Sequence, residues 1–146
     1  MSSAVELLLV EDDPDEVALV LRALGRHHMA ERAAVVRDGA EALDFLFGTG
    51  AYVHRHPDDR PKVILLDLKL PKLTGRELLQ RLKADARTRA IPIVIFTSSV
   101  QERDLLESYQ SGVNSYVRKP LDGREFTEAV GQIGRYWLEL NQPAPG

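Results

Sequence analysis

Five short apolar runs, each separated from the next by a segment of helical periodicity, limit what this chain can fold into. They are VELLLV (residues 5–10), ERAAVVR (31–37), KVILL (62–66), IPIVIF (91–96) and NSYVR (114–118). All are too short for helices, and most lack the strict alternation of a strand with one wet face. Continuous apolar strands alternating with helices predict βα units around a mostly parallel sheet covered on both sides. Pro92 has no N–H for a ladder, so it fits only at the start of the fourth strand.

The intervening segments carry helix signals. Asp13 is a natural N-cap and Pro14 suits the first helical position, after which Val17, Val20, Leu21 and Leu24 recur at helical spacing. A second helix is expected over 39–48, a third from about Gly75 with Leu78, Leu79 and Leu82, and a fourth holding Leu105, Leu106 and Tyr109 before Gly112. In the last helix Phe126, Val130, Ile133, Trp137 and Leu140 step by 4, 3, 4 and 3. That spacing predicts one stripe packed on the sheet, with Tyr136 and Leu138 off it. GTGAYVHRHPDDRP (48–61) reads as a polar loop. The whole is expected to be one domain over residues 1–140 with a frayed tail at 141–146, leaving no room for a separate output domain.

Composition narrows the function. A formal net charge of −3 argues against a general nucleic-acid binder, which needs a basic surplus. The absence of cysteine excludes a disulfide framework and thiolate metal sites. MSSAVELLLVEDD turns acidic after a short apolar run, so it is neither a signal peptide nor a membrane span, and a soluble cytoplasmic protein is expected.

In an open parallel sheet, ligands bind beyond the carboxyl ends of the strands. There this sequence places Glu11, Asp12 and Asp13 after the first strand, Asp67 after the third, Thr97, Ser98 and Ser99 at the fourth, and Arg118, Lys119 and Pro120 at the fifth. Two carboxylates about 5 Å apart repel by roughly 3 kcal/mol at an effective dielectric of 20, so such a cluster needs a cation or protons. Mg²⁺, which prefers oxygen ligands and substrate phosphate, suits it, with Lys119 neutralising the remainder. Singly, Asp12 or Asp13 is a helix cap, Thr97 a strand-end hydroxyl and Lys119 a solvated charge. Asp67, between Leu66 and Leu68, has to be paired, neutralised or chelated wherever it is buried.

These motifs, LLLVEDD, ILLDLKLPKLTG, IVIFTSS and SYVRKP, resemble in order and spacing those of response-regulator receiver domains. The resemblance implies a doubly wound, flavodoxin-like α/β fold with a five-stranded parallel sheet in the order 2-1-3-4-5. It implies self-catalysed phosphoryl transfer from a sensor histidine kinase, with Asp67 as acceptor. Asp12, Asp67 and the backbone carbonyl of Lys69 would hold Mg²⁺, and Glu11 would act on the ion indirectly. Thr97 matches the hydroxyl switch, Lys119 the lysine that pairs with the phosphoryl group, and Tyr116 the aromatic that turns inward with the switch. The Lys119–Pro120 bond matches a cis peptide. LPKLTGREL and IGRYWLEL are further similar to regulators that serve phytochrome kinases, implying such a kinase as donor and a homodimer through the fourth helix, fifth strand and fifth helix. Tyr136 and Leu138 then become candidate contacts, and output passes to an unknown downstream protein. Lys69 adds an ammonium at the mouth of the site, expected to alter how fast the phosphoryl group is lost, which Lys69→Ala would test.

Other chemistries fit less well. A haloacid-dehalogenase-type phosphatase expects a second acid two residues after its nucleophile, where this chain has Lys69. A nucleotide-binding α/β protein expects a glycine-rich cradle after the first strand, where this chain has acids. His27, His28, His54 and His56 lack partners in ligand spacing. A receiver-like scaffold that binds without being phosphorylated is the alternative from another class.

Overall fold

The computed structural model describes residues 4–145. Strands β1 (Leu7–Val10), β2 (Ala33–Val36), β3 (Val63–Leu66), β4 (Ile93–Thr97) and β5 (Ser115–Arg118) form one parallel sheet in the order β2-β1-β3-β4-β5. The register sets Leu7 beside Ala33 and Val63, Val10 beside Val36 and Leu66, and Thr97 beside Arg118, so the carboxyl ends of all five parallel strands open on one rim. Helices α1 (Pro14–Gly25), α2 (Gly39–Phe47), α3 (Gly75–Ala84), α4 (Glu102–Gln110) and α5 (Gly123–Arg135) alternate with the strands.

Both faces are covered, which is why the strands read as unbroken apolar runs. Leu7 and Leu9 pack with Val63 and Leu65 under α1 and α5, while Leu8 and Val10 pack with Ile64 and Leu66 under α2 and α3. The helix starts are capped by their own sequence: Asp13 accepts from the Asp15 N–H, Asp38 from that of Glu41, and Thr74 forms a reciprocal capping box with Glu77. Helix α4 lies against β5. Its apolar residues Leu105, Leu106 and Tyr109 remain open to solvent, and only Ser108 is buried.

The end of the last helix departs from its predicted stripe. After α5 the chain continues as a π-helical turn, Tyr136–Leu140, closed by the Asn141 N–H donating to the Tyr136 carbonyl at 2.6 Å. A π turn takes in one more residue than an α turn. The seam therefore steps by five from Ile133 to Leu138, which is 3% exposed, while Leu140 is 68% exposed and Trp137 half-buried. Leu138 thus belongs to the core and is withdrawn from the candidate contact surface, whereas Tyr136 stays exposed. Arg32 and Lys62 both donate to the Leu138 carbonyl, tying this turn to the strands beneath it.

Two further expectations are corrected. The Lys119–Pro120 peptide is trans, since the described residues contain no cis bond; trans is the lower-energy isomer of an X–Pro bond by about 0.5–1 kcal/mol. The 48–61 segment is not merely a polar loop. It contains a 3₁₀ turn, Gly50–Tyr52, whose Tyr52 ring meets Phe45 edge-on at 5.1 Å and whose hydroxyl donates to Glu41 at 2.6 Å. Residues 141–145 have no regular structure, and Gly146, the end of the expected tail, lies outside the described residues, as do residues 1–3. Among the described residues no helix is long and apolar enough to cross a membrane.

Candidate phosphoryl-acceptor site

Sheet register carries four strand ends to one place. The Glu11 N–H donates to the Val36 carbonyl and the Asp67 N–H to the Val10 carbonyl, so each acid is held by the last ladder bond of its strand. The Lys119 N–H donates to the Thr97 carbonyl at 2.7 Å and continues the β4–β5 ladder by one residue. Past Asp67 the backbone turns sharply through Pro71 and Lys72, the latter left-handed at φ 63°, into α3. Gly75 makes that return possible: a Cβ there would overlap the Asp67 carbonyl oxygen and stand 2.6 Å from Leu68 Cα.

Lys119 Nζ is the centre of the site. It donates to Asp67 Oδ2 at 2.7 Å, to Glu11 Oε1 at 2.8 Å and to Glu16 Oε2 at 2.5 Å, and its side chain is only 6% exposed. Asp67 Oδ1 accepts the Lys69 N–H at 3.0 Å, so both carboxylate oxygens are engaged. Thr97 is fully buried, and its Oγ1 accepts the Ser99 N–H at 3.4 Å. Ser98, by contrast, is exposed and small, which leaves the mouth of the site open.

Three acids around one ammonium leave surplus negative charge. Burial, together with the hydrogen bond that a protonated Glu11 donates to the Glu16 carboxylate, pushes the Glu11 carboxyl up to about 8 even though Lys119 pulls the other way. Burial opposes the charge on Lys119, but its hydrogen bonds to Asp67, Glu11 and Glu16 outweigh this and raise its pKa above that of an ordinary lysine. Glu11, Glu16 and Asp67 each bring a carboxylate oxygen within 4.8 Å of the other two. This all-oxygen set with excess anionic charge fits a hard divalent cation and has no soft donor for a thiophilic one.

Of the residues expected here, Glu11, Asp67 and Lys119 are in direct contact and Thr97 borders them. Asp12 is exposed beside Glu11 and belongs to no hydrogen bond or ion pair among the described residues. Tyr116 lies half-buried on β5 with its hydroxyl donating to the Ser99 carbonyl at 3.4 Å. Glu16 was not anticipated. Its signal was present, since Glu16, Val20 and Leu24 share the buried face of α1, which aims the acid at the sheet's rim. A second unanticipated group links β4 to two helices: Ser99 Oγ donates to Asp104 at 2.5 Å, and Arg76 of α3 pairs with both Asp104 and Glu107 of α4 at 2.7 Å. Arg76 lies 28 residues before Asp104, and a pairing at that distance leaves no local pattern to read.

Comparison with known proteins agrees with the geometry. Residues 7–131 match the family described as response regulator receiver domain. The chain is 40% identical over 143 residues to a probable methanogenesis regulatory protein, FilR2, of Methanothrix harundinacea, covering 96% of this chain and 87% of that one. It is 37% identical to the response regulator Rcp1 of Synechocystis over 91% of this chain and 88% of Rcp1. The Mn²⁺-bound structure of Rcp1 superposes with a TM-score of 0.86 at 36% identity, covering 95% of this chain and 98% of that one. The phosphorylated cyanobacterial phytochrome response regulator RcpA gives 0.89 at 34% identity over 98% and 100% of the two chains. Sheet order, rim chemistry and sequence thus agree over most of the molecule, and the chain belongs to the response regulator receiver domain family, where it is similar to phytochrome response regulators.

Proposed function

We propose that the chain accepts a phosphoryl group on Asp67 from the phosphohistidine of a sensor histidine kinase. The observation that carries this reading is a buried aspartate at the end of β3 with a lysine ammonium 2.7 Å from one oxygen, on an open rim. An Asp67 oxygen attacks phosphorus in line. The P–N bond breaks, its electron pair returns to the imidazole nitrogen, and that nitrogen takes up a proton from water. Such transfers demand position and charge compensation more than covalent help. Lys119 supplies the compensation, and the Thr97 hydroxyl donates to a phosphoryl oxygen once it turns from its Ser99 contact. Asp12, Asp67 and the Lys69 carbonyl would hold Mg²⁺, with Glu11 acting on it indirectly. When bound, the ion neutralises charge on the phosphoryl oxygens.

The same reading makes the chain a cytoplasmic relay whose donor is a phytochrome-type kinase, supported by the similarity to RcpA. Thr97 and Tyr116 would transmit occupancy of Asp67 to the surface of α4, β5 and α5. There the exposed Leu105, Leu106, Tyr109 and Tyr136 offer a contact face for a second copy or a downstream protein. The test is intact-protein mass after incubation with a small-molecule phosphodonor, with and without Mg²⁺. One Mg²⁺-dependent phosphoryl adduct on the wild type, absent from Asp67→Asn, is expected. No adduct on the wild type, even with a panel of histidine kinases as donors, would favour a scaffold that works by binding alone.

A further inference from the structure

Glu16 lies outside the motif set that defines the acceptor site, yet it makes the shortest of the three contacts to Lys119, at 2.5 Å. An ammonium has three N–H donors and no more. In Lys119 all three are taken, by Glu11, Glu16 and Asp67. If Asp67 keeps its own bond to Lys119, a phosphoryl group on it needs one of the other two, so Glu11 or Glu16 has to let go. Glu11 is poorly placed to do so: its side chain is 4% exposed, and its second oxygen already accepts the Asp13 N–H. Leaving it there without Lys119 would strand a buried acid. Glu16 is 29% exposed and stands in the first turn of α1, where its carboxylate can turn to water.

We infer that Glu16 is a positioning residue that competes with the phosphoryl group for Lys119. It holds the ammonium over Asp67 while the site is empty of phosphate and swings to solvent when the phosphoryl group arrives. This rests on Asp67 being the acceptor. Exchange of one partner for another keeps Lys119 saturated in both states, and the strength of the Glu16 contact sets how much affinity the incoming group gives up.

The test is a titration of the full chain with beryllofluoride, a phosphoryl mimic, in saturating Mg²⁺, followed by ¹⁹F NMR. Glu16→Gln keeps the shape and removes the charge, and it is expected to bind about two- to fivefold more tightly than the wild type, the range of a single partly exposed charge contact. Glu16→Asp, one methylene shorter with its charge kept, is expected to fall between them. Asp15→Asn makes the same change in net charge one residue away, on an exposed side chain, and is expected to match the wild type. A Glu16→Gln affinity equal to or weaker than that of the wild type would overturn the inference, as would an equal gain from Asp15→Asn. A wild type that binds no beryllofluoride would overturn the acceptor reading and this inference together.

Discussion

Lys119 Nζ reaches Asp67 Oδ2 at 2.7 Å by crossing the end of β4, so the outermost strand is tied to the middle of the sheet through a charge. Both residues are buried, and neither charge is compensated elsewhere by an arginine or a second lysine within the cluster. The site is therefore a device with one cation and three acids, among which the Glu11 carboxyl is pushed up to about 8, and its properties follow from that imbalance.

Removing the cation is the direct probe. Lys119→Met leaves Glu11, Glu16 and Asp67 facing one another, and breaking a buried pair costs about 3–5 kcal/mol when the remaining charge has no way out. Glu16 can turn to water, so a loss of about 2–3 kcal/mol is expected here, read by denaturant unfolding at pH 7 in EDTA. Added Mg²⁺ should recover more stability in the variant than in the wild type. An unchanged midpoint in EDTA would mean that the acids disperse without Lys119.

Glu11 makes stability without metal depend on pH. Its carboxyl is raised from 4.5 in the unfolded chain to about 8 in the fold. A raised acid favours the folded state below its unfolded value, and that contribution is lost as pH climbs through the folded one. In EDTA the wild type should thus lose stability relative to Glu11→Gln between about pH 4.5 and 8. With metal the slope of binding is opposite: cation and proton compete for the cluster, so Mg²⁺ affinity should rise across pH 6 to 8 with proton release. Calorimetry in two buffers of different ionisation enthalpy would detect the proton, and an equal heat in both would contradict this account.

Much of this arrangement is legible in the sequence, for a physical reason. Asp67, Thr97 and Lys119 sit where apolar strands end, and a parallel sheet brings strand ends together whatever the details of its helices. Each failure has a reason of its own. The step from Ile133 to Leu138 depends on one i→i+5 hydrogen bond, and a stripe counted at 3.6 residues per turn does not contain that choice. Glu16 went unread because an acid in the first turn of a helix is ordinarily a dipole or cap residue. Its neighbours Val20 and Leu24 on the same face were the better guide. The isomer of Lys119–Pro120 rested on likeness alone, with no local property of the two residues behind it.

At the opposite end of the sheet, Glu6 pairs with Arg32 and Lys62, clasping the chain just before β2 and β3. The Arg32 hydrogen bond first, and Lys62 after it, hold the Glu6 carboxyl below its ordinary value against the opposing effect of burial. A depressed acid contributes stability above its unfolded pKa of about 4.5 and loses it as pH falls through the folded value. Glu6→Gln is expected to cost about 1 kcal/mol at pH 7, in keeping with a partly exposed pair. The cost should shrink toward zero below about pH 4. Thermal melts of both proteins from pH 3 to 7 would show the curves converging on the acid side, and parallel curves would assign the cost to lost packing.

Two helix-starting glycines give a final contrast. Gly75 opens α3 with Asp67 and Leu68 pressed against it, whereas an added Cβ at Gly123, opening α5, would meet nothing within 4 Å. Neither has a positive φ, so backbone strain does not separate them. Gly75→Ala must push away backbone, and overpacking of this kind costs about 1–3 kcal/mol. Because the displaced backbone belongs to Asp67, Lys119 should lose its distance to the carboxylate, and phosphoryl uptake should slow by more than the stability change alone explains. Gly123→Ala reduces the freedom of the unfolded chain without a clash and should stabilise by about 0.4–1 kcal/mol. Unfolding midpoints and adduct formation measured side by side separate the effects. If Gly75→Ala were as well tolerated as Gly123→Ala, the turn after β3 would be free to move, and the placement of Asp67 would depend on Lys119 rather than on the close approach of α3.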